Sequence, residues 1–178
     1  MKKVKVYNLI SKEEIAQKVE EIGKKISADY KNKNPLLVGV LKGAWVFLAD
    51  LVRHIDIPIT CDFLQVSSYN SGTETTGVVK IISDLTSPIE GRDVIIVEDI
   101  VDTGLTLQYL IEMLELRKPN SLKICALLDK PARHRVEIKI DYLGFTIPNK
   151  FVVGYGIDFD EKFRNLPYIG YIEFEEPD

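Results

Sequence analysis

The chain has 178 residues, 46% of them hydrophobic and 28% charged, with a formal net charge of −4. This size and balance give one globular domain with a substantial core and exclude a disordered chain, while the acidic charge disfavours polymeric nucleic acid as a partner. No apolar run approaches membrane-spanning length, and Met-Lys-Lys-Val-Lys-Val is no signal-peptide core, so the expectation is a cytoplasmic protein with no membrane partner. Cys61 and Cys125 fall within apparent strands, far apart and without metal-ligand spacing, and are expected to be buried free thiols.

Ser11-Lys-Glu-Glu14 fits a capping box, and Ile15, Val19, Ile22 and Ile26 follow at helical spacing, which predicts an amphipathic helix over residues 11–30. Pro35 ends the break after it, and Leu36-Leu-Val-Gly-Val-Leu41 reads as the first buried strand. Lys42-Gly43 is the turn at its carboxyl end, and a second helix over residues 44–54 is expected to turn Trp45, Leu48 and Leu51 inward. Taken alone, Lys42-Gly43 is a tight turn with an exposed lysine. A strand over residues 59–66 follows Pro58. Residues 67–77, rich in hydroxyls and glycine, form a polar excursion with the composition of a lid before a strand pattern resumes at Val78.

Val94-Ile-Ile-Val97 suits a strand buried on both faces, and Glu98 and Asp99 stand where it is expected to end. Asp102-Thr-Gly-Leu-Thr106 is a short loop, and Leu107, Leu110, Ile111 and Leu114 then repeat with helical period. Ligands of open α/β sheets bind at this end of a central strand. Thr103, Gly104 and Thr106 are small enough for a phosphate to reach main-chain amides at a helix start, where the dipole also favours an anion. Two carboxylates beside a phosphate need a partner, either sugar hydroxyls or a hydrated Mg²⁺. The loop is neither Walker A nor Gly-x-Gly-x-x-Gly.

Leu122–Leu128 is another mostly apolar strand, with Asp129-Lys130 at its carboxyl end, and Arg133-His134-Arg135 reads as a solvated basic run. His134 and His54 have no carboxylate or second histidine at catalytic spacing and receive no chemistry. Tyr142-Leu-Gly-Phe145, Phe151-Val-Val-Gly-Tyr155 and Tyr168-Ile-Gly-Tyr-Ile172 are short strand-like pieces of a small antiparallel hood. The expectation is therefore an α/β fold: a single domain over residues 1–178, with a mostly parallel central sheet flanked by helices (residues 1–140) and a small C-terminal antiparallel hood (residues 141–178).

Glu98-Asp-Ile-Val-Asp-Thr-Gly-Leu-Thr106 resembles the phosphoribosyl-pyrophosphate (PRPP) signature of the type I phosphoribosyltransferases. Leu41-Lys42-Gly43 resembles the pyrophosphate loop of that family's purine-salvage branch, and Pro148-Asn-Lys-Phe-Val-Val-Gly-Tyr155 with Asp158 and Phe163-Arg-Asn-Leu166 resembles its base-binding hood. The likeness runs from about residue 36 to 172. It implies transfer of 5-phosphoribosyl from PRPP to N9 of hypoxanthine or guanine, giving IMP or GMP and pyrophosphate, with Mg²⁺ as cofactor and a homodimer or homotetramer as assembly.

The same resemblance implies the roles. Glu98 and Asp99 hold the ribose hydroxyls, Asp102, Thr103, Gly104, Leu105 and Thr106 surround the 5′-phosphate, and Lys42, Gly43 and Arg164 meet the pyrophosphate. A cis peptide precedes Lys42. Asp102 is the general base, reaching purine N7. Lys130 donates to the purine 6-oxygen, Phe151 stacks on the base, the Val152 main chain reads its edge, and Lys150 and Asp158 complete the purine site. Glu98, Asp99 and Asp158 are the carboxylates for metal. Ser68-Tyr69 resembles the start of the family's flexible loop. The bland alternatives are that Asp102 merely caps a helix and that Phe151 is core. Other readings are a xanthine-preferring or mixed 6-oxopurine relative, a PRPP-sensing RNA-binding regulator of the same fold, and a flavodoxin-like module.

Overall fold

The computed structural model describes residues 4–71 and 74–174, and the side chains of residues 68–78 lie outside what it describes. Six strands make the main sheet: β2 (Leu36–Leu41), β3 (Thr60–Ser71), β4 (Glu74–Ser83), β5 (Asp93–Val101), β6 (Ser121–Asp129) and β7 (Tyr142–Thr146). Their spatial order is β4-β3-β2-β5-β6-β7, parallel throughout except for the edge strand β4, which runs antiparallel to β3.

Each central strand carries a mostly apolar run because each face is covered. Leu37, Ile95, Val97, Cys125 and Leu127 join one core with α1 (Lys12–Asp29) and α2 (Trp45–Val52). The alternate positions, Val38, Val40, Val94, Ile96, Ile124 and Ala126, join a second core with Leu107, Leu110 and Leu114 of α3 (Leu105–Glu115). The expected capping box on α1 is present: Glu14 N donates to Ser11 Oγ at 3.2 Å, and Ser11 N donates to Glu14 Oε2 at 2.8 Å. Ile15, Val19, Ile22 and Ile26 are its buried stripe.

Several expectations are corrected. β5 runs on through Glu98 and Asp99 to Val101, because its ladder with β6 continues as far as Val101↔Asp129 while its ladder with β2 stops at Val97. The two acids thus lie in a strand that has lost one neighbour. In α2 the inward residues are Phe47, Leu48 and Leu51, whereas Trp45 in the first turn is 51% exposed. Cys61 is exposed, since only the Asp62 and Leu64 face of β3 is covered there; Cys125 is buried as expected. β7, read from the sequence as hood, pairs with β6 in the main sheet.

The hood is a three-stranded antiparallel sheet in the order β1-β9-β8, formed by β8 (Val152–Val153), β9 (Ile169–Phe174) and the N-terminal strand β1 (Val4–Ile10). Its third strand comes from the other end of the sequence. Short alternation over seven residues marks β1 only weakly, since six of its positions are partly or largely solvated and only Ile10 is buried.

Candidate active site

The carboxyl ends of β2, β5 and β6 open beneath the hood. At the end of β2 the Leu41–Lys42 peptide is cis. Gly43 follows, and a Cβ placed there would overlap the Asp99 carboxylate of β5. Across the same loop, Gly156 of the hood approaches Gly43 O so closely that it too leaves no room for a Cβ. The turn after β2, the end of β5 and the hood are therefore packed backbone to side chain to backbone.

Glu98 is 7% exposed and sits beside Asp99. Burial, reinforced by the neighbouring Asp99 charge, pushes the Glu98 carboxyl well above the usual range. Burial also raises Asp99, partly offset by the Ile100 amide it accepts from at 2.8 Å and by the charge of Arg164. Two desolvated acids with a shared deficit of positive charge suit a cation or hydroxyl donors.

Asp102, Thr103 and Gly104 connect β5 to α3. Gly104 is the helix N-cap at φ 81°, a left-handed conformation that suits glycine, and no side chain caps the helix. The first-turn amides of α3 thus have neither an intrahelical acceptor nor a capping oxygen, apart from a long 3.4 Å contact from Leu105 N to Thr103 Oγ1. They face a cavity of 90 Å³ lined by Glu98, Ile100, Val101, Asp102, Thr103, Gly104, Thr106 and Leu107. Dipole and amides favour an anion there.

A second cavity, 330 Å³, adjoins it and is lined by Ile100, Asp102, Lys130, Arg133, Asn149, Lys150, Phe151, Val152, Ile157 and Asp158. Asp102 and Ile100 belong to both cavities. Phe151 is 51% exposed, so it is not core; its ring meets Phe159 edge to face at 5.4 Å. Lys130 is 7% exposed, and desolvation lowers its pKa, countered by Asp102. Lys150 lines this cavity, but its ammonium is seated over the Tyr171 ring, 3.4 Å from the centroid. Val152 is buried in β8.

On the hood side, Arg164 pairs with Asp158 at 3.0 Å and with Glu161 at 3.4 Å, and donates to Gly156 O at 2.8 Å. Its Nε is buried without a partner. Lys42 reaches across to Glu161 at 3.1 Å, which holds the Glu161 carboxyl below its usual range. Lys42, Glu161, Arg164 and Asp158 form a charged chain spanning the mouth between β2 and the hood. Sequence reasoning missed Glu161, Arg133 and Asp129 with His134. Arg133 Nε donates to Asp102 Oδ1 at 3.2 Å. His134 Nε2 lies 2.7 Å from Asp129 Oδ1, which corrects the expectation that His134 lacks a carboxylate partner. The side chains of Ser68 and Tyr69, expected in a lid, lie outside the described residues.

Among the described residues no three His, Cys, Asp or Glu side chains gather into a metal-holding group, so Glu98, Asp99 and Asp158 are not one cluster. No described helix is long and apolar enough to cross a membrane.

Residues 6–160 match the model of the phosphoribosyl transferase domain. The chain belongs to that family. It is 53% identical over 165 residues to the hypoxanthine-guanine phosphoribosyltransferase of Bacillus subtilis (strain 168), covering 93% of this chain and 92% of that protein. The crystal structure of a hypoxanthine phosphoribosyltransferase from Staphylococcus aureus superposes with a TM-score of 0.91 at 48% identity, covering 94% of this chain and 91% of that one. The chain is also 52% identical over 167 residues to the bifunctional protein TilS/HprT of Listeria monocytogenes serotype 4b (strain F2365), of which it spans 26% of the length. Membership in the family gives the two adjoining cavities and the uncapped α3 a common context: this is a phosphoribosyltransferase fold with its hood in place.

Proposed function

We propose that the chain is a purine-salvage enzyme that transfers 5-phosphoribosyl from PRPP to N9 of hypoxanthine or guanine, giving IMP or GMP and pyrophosphate. The observation that carries this is the position of Asp102, a shared wall of the anion cavity under α3 and the cavity bounded by Lys130 and Phe151. A sugar phosphate in the first puts its base in the second.

In this reading the amides and hydroxyls of residues 102–106 hold the 5′-phosphate, and Glu98 and Asp99 accept from the ribose hydroxyls. Lys42, the Gly43 main chain and Arg164 receive the pyrophosphate, for which the unpartnered Arg164 Nε is a waiting donor. Purine N9 forms its bond to C1′ as the C1′–oxygen bond breaks and its electron pair leaves with pyrophosphate. The proton on N7 passes to the Asp102 carboxylate. Lys130 donates to the 6-oxygen; an ammonium has no acceptor to offer an exocyclic amine, which disfavours adenine. Phe151 stacks on the base, the Val152 main chain meets its edge, and Lys150 flanks it. Held reactants and a dry cavity supply most of the acceleration.

The raised, paired carboxyls of Glu98 and Asp99 fit a hydrated Mg²⁺ shared with substrate oxygens, and Asp158 fits a position on its waters. When bound, the ion neutralises diphosphate charge. A homo-oligomeric, cytoplasmic enzyme is part of the same proposal, its assembly supported by the exposed Trp45 beside a 510 Å³ apolar cavity. The test is a spectrophotometric comparison of hypoxanthine, guanine, xanthine and adenine as acceptors with PRPP and Mg²⁺. Turnover of the first two and not adenine supports the reading; no turnover of any oxopurine overturns it.

A further inference from the structure

The proposed reaction gives no task to one charged side chain of the base cavity, Arg133. It lines that cavity together with Asp102 and Lys130, and its Nε donates to Asp102 Oδ1 at 3.2 Å. Its backbone is fixed from both sides. Arg133 closes the 3-10 turn Pro131–Arg133, its amide donating to Lys130 O at 2.9 Å, and two residues later Arg135 N donates to Thr103 O at 2.9 Å. The segment carrying Arg133 is thereby tied at one end to the lysine of the base cavity and at the other to the phosphate loop. Lys130 N in turn donates to Val101 O at 2.9 Å, next to Asp102 itself.

Both partners are roughly half exposed, 45% for Arg133 and 42% for Asp102. An ion pair of that kind contributes little to stability. What it does instead is geometric. A guanidinium engaging one carboxylate oxygen through Nε restricts the rotation of the carboxylate by anchoring that oxygen, and among the described residues no other hydrogen bond to that carboxylate is seen. Arg133 approaches from the 3-10 turn, on the wall the two cavities share.

We infer that Arg133 is the positioning residue of Asp102: it holds Oδ1 so that Oδ2 is presented to the N7 proton of the bound purine. This rests on the functional reading above, with Asp102 as the base. A carboxylate left to rotate samples other orientations, and the loss falls on the step in which the proton moves. Filling the cavity with a purine removes water from around the contact and strengthens it at the moment it is needed.

A double-mutant cycle tests this, with kcat and both KM values measured for wild type, Arg133→Gln, Asp102→Asn and the double variant. Arg133→Gln is expected to lower kcat about tenfold while the KM for PRPP stays within about twofold, and Arg133→Lys, which keeps a cationic donor without the planar fork, to recover part of it. In the Asp102→Asn background the same Arg133→Gln change is expected to alter kcat by less than about twofold, since the group it positions is gone. An equal loss in both backgrounds overturns the inference, as does a loss confined to the KM for base. A wild-type enzyme inert toward every oxopurine removes the functional reading itself, and this inference with it.

Discussion

The Asp99 carboxylate occupies the space in which a side chain on Gly43 would begin. The turn after β2 and the carboxyl end of β5, far apart in sequence, are therefore positioned against each other by a missing Cβ. Gly156 of the hood backs the same loop from the other side.

Gly43→Ala forces Asp99 or the loop to move. Overpacking of this kind costs about 1–3 kcal/mol. Thermal denaturation is expected to show a melting temperature lower by several degrees, and the stabilisation given by PRPP with Mg²⁺ to shrink with it. A variant as stable and as ligand-responsive as wild type would mean that the contact is easily relieved.

The acidic pair sets a pH dependence. Glu98 is raised well above its usual value and Asp99 is pushed up to about 6, both chiefly by burial. The folded pair holds protons that the unfolded chain releases above about pH 4. Stability from these groups is thus full below that pH and is lost as pH rises through the folded values, with a slope of up to about 1.4 kcal/mol per pH unit per proton. Glu98→Gln is expected to flatten this decline between pH 4.5 and 7.5 in denaturant titrations while abolishing the response to PRPP. An unchanged slope would place the buried charge elsewhere.

Lys130→Ala removes the buried lysine of the 330 Å³ cavity, the proposed donor to the purine 6-oxygen. A hydrogen bond to a charged group contributes about 1.5–3 kcal/mol, so hypoxanthine affinity is expected to fall roughly ten- to a hundredfold with PRPP affinity unchanged. Calorimetric titration of each ligand separates the two. Equal base affinity in the variant would take Lys130 out of the site.

Phe151 stands half exposed yet is braced: Phe159 meets it at 5.4 Å and 83°, and Phe159 in turn meets Phe174 at 5.7 Å and 70°. Aromatic pairs of this geometry contribute about 0.5–1.5 kcal/mol. Phe159→Leu is expected to raise the KM for hypoxanthine several-fold without changing kcat. A change in kcat alone would show that Phe159 acts on something other than stacking.

Much of this molecule could be read from local pattern. The β2, β5 and β6 runs are mostly apolar because both faces are buried, and α1 announces itself through Ser11 and Glu14 and a regular isoleucine–valine stripe. The strand–loop–helix turn at residues 102–106 was legible because its residues are contiguous. What escaped was built from chain ends or from turns. β1 joins the hood by pairing Val4–Ile10 with Ile169–Phe174, and nothing local in a seven-residue segment solvated at all but Ile10 indicates a partner so distant in sequence. His134 and Asp129 meet only because Pro131–Arg133 folds into a 3-10 turn, and that turn also swings Arg133 onto Asp102. The basic run beside Asp129-Lys130 was the available signal, and opposite charges so close in sequence were a reason to look for pairing.

The central claim is that Asp102, between the two cavities, takes the purine proton, and Asp102→Asn tests it most directly. Shape and neighbours are kept while the basic oxygen is lost. PRPP affinity is expected to remain within about twofold, and turnover of hypoxanthine to fall roughly a hundredfold or more, the usual size of a general-base loss. Turnover near the wild-type rate, with PRPP bound as before, would contradict the account.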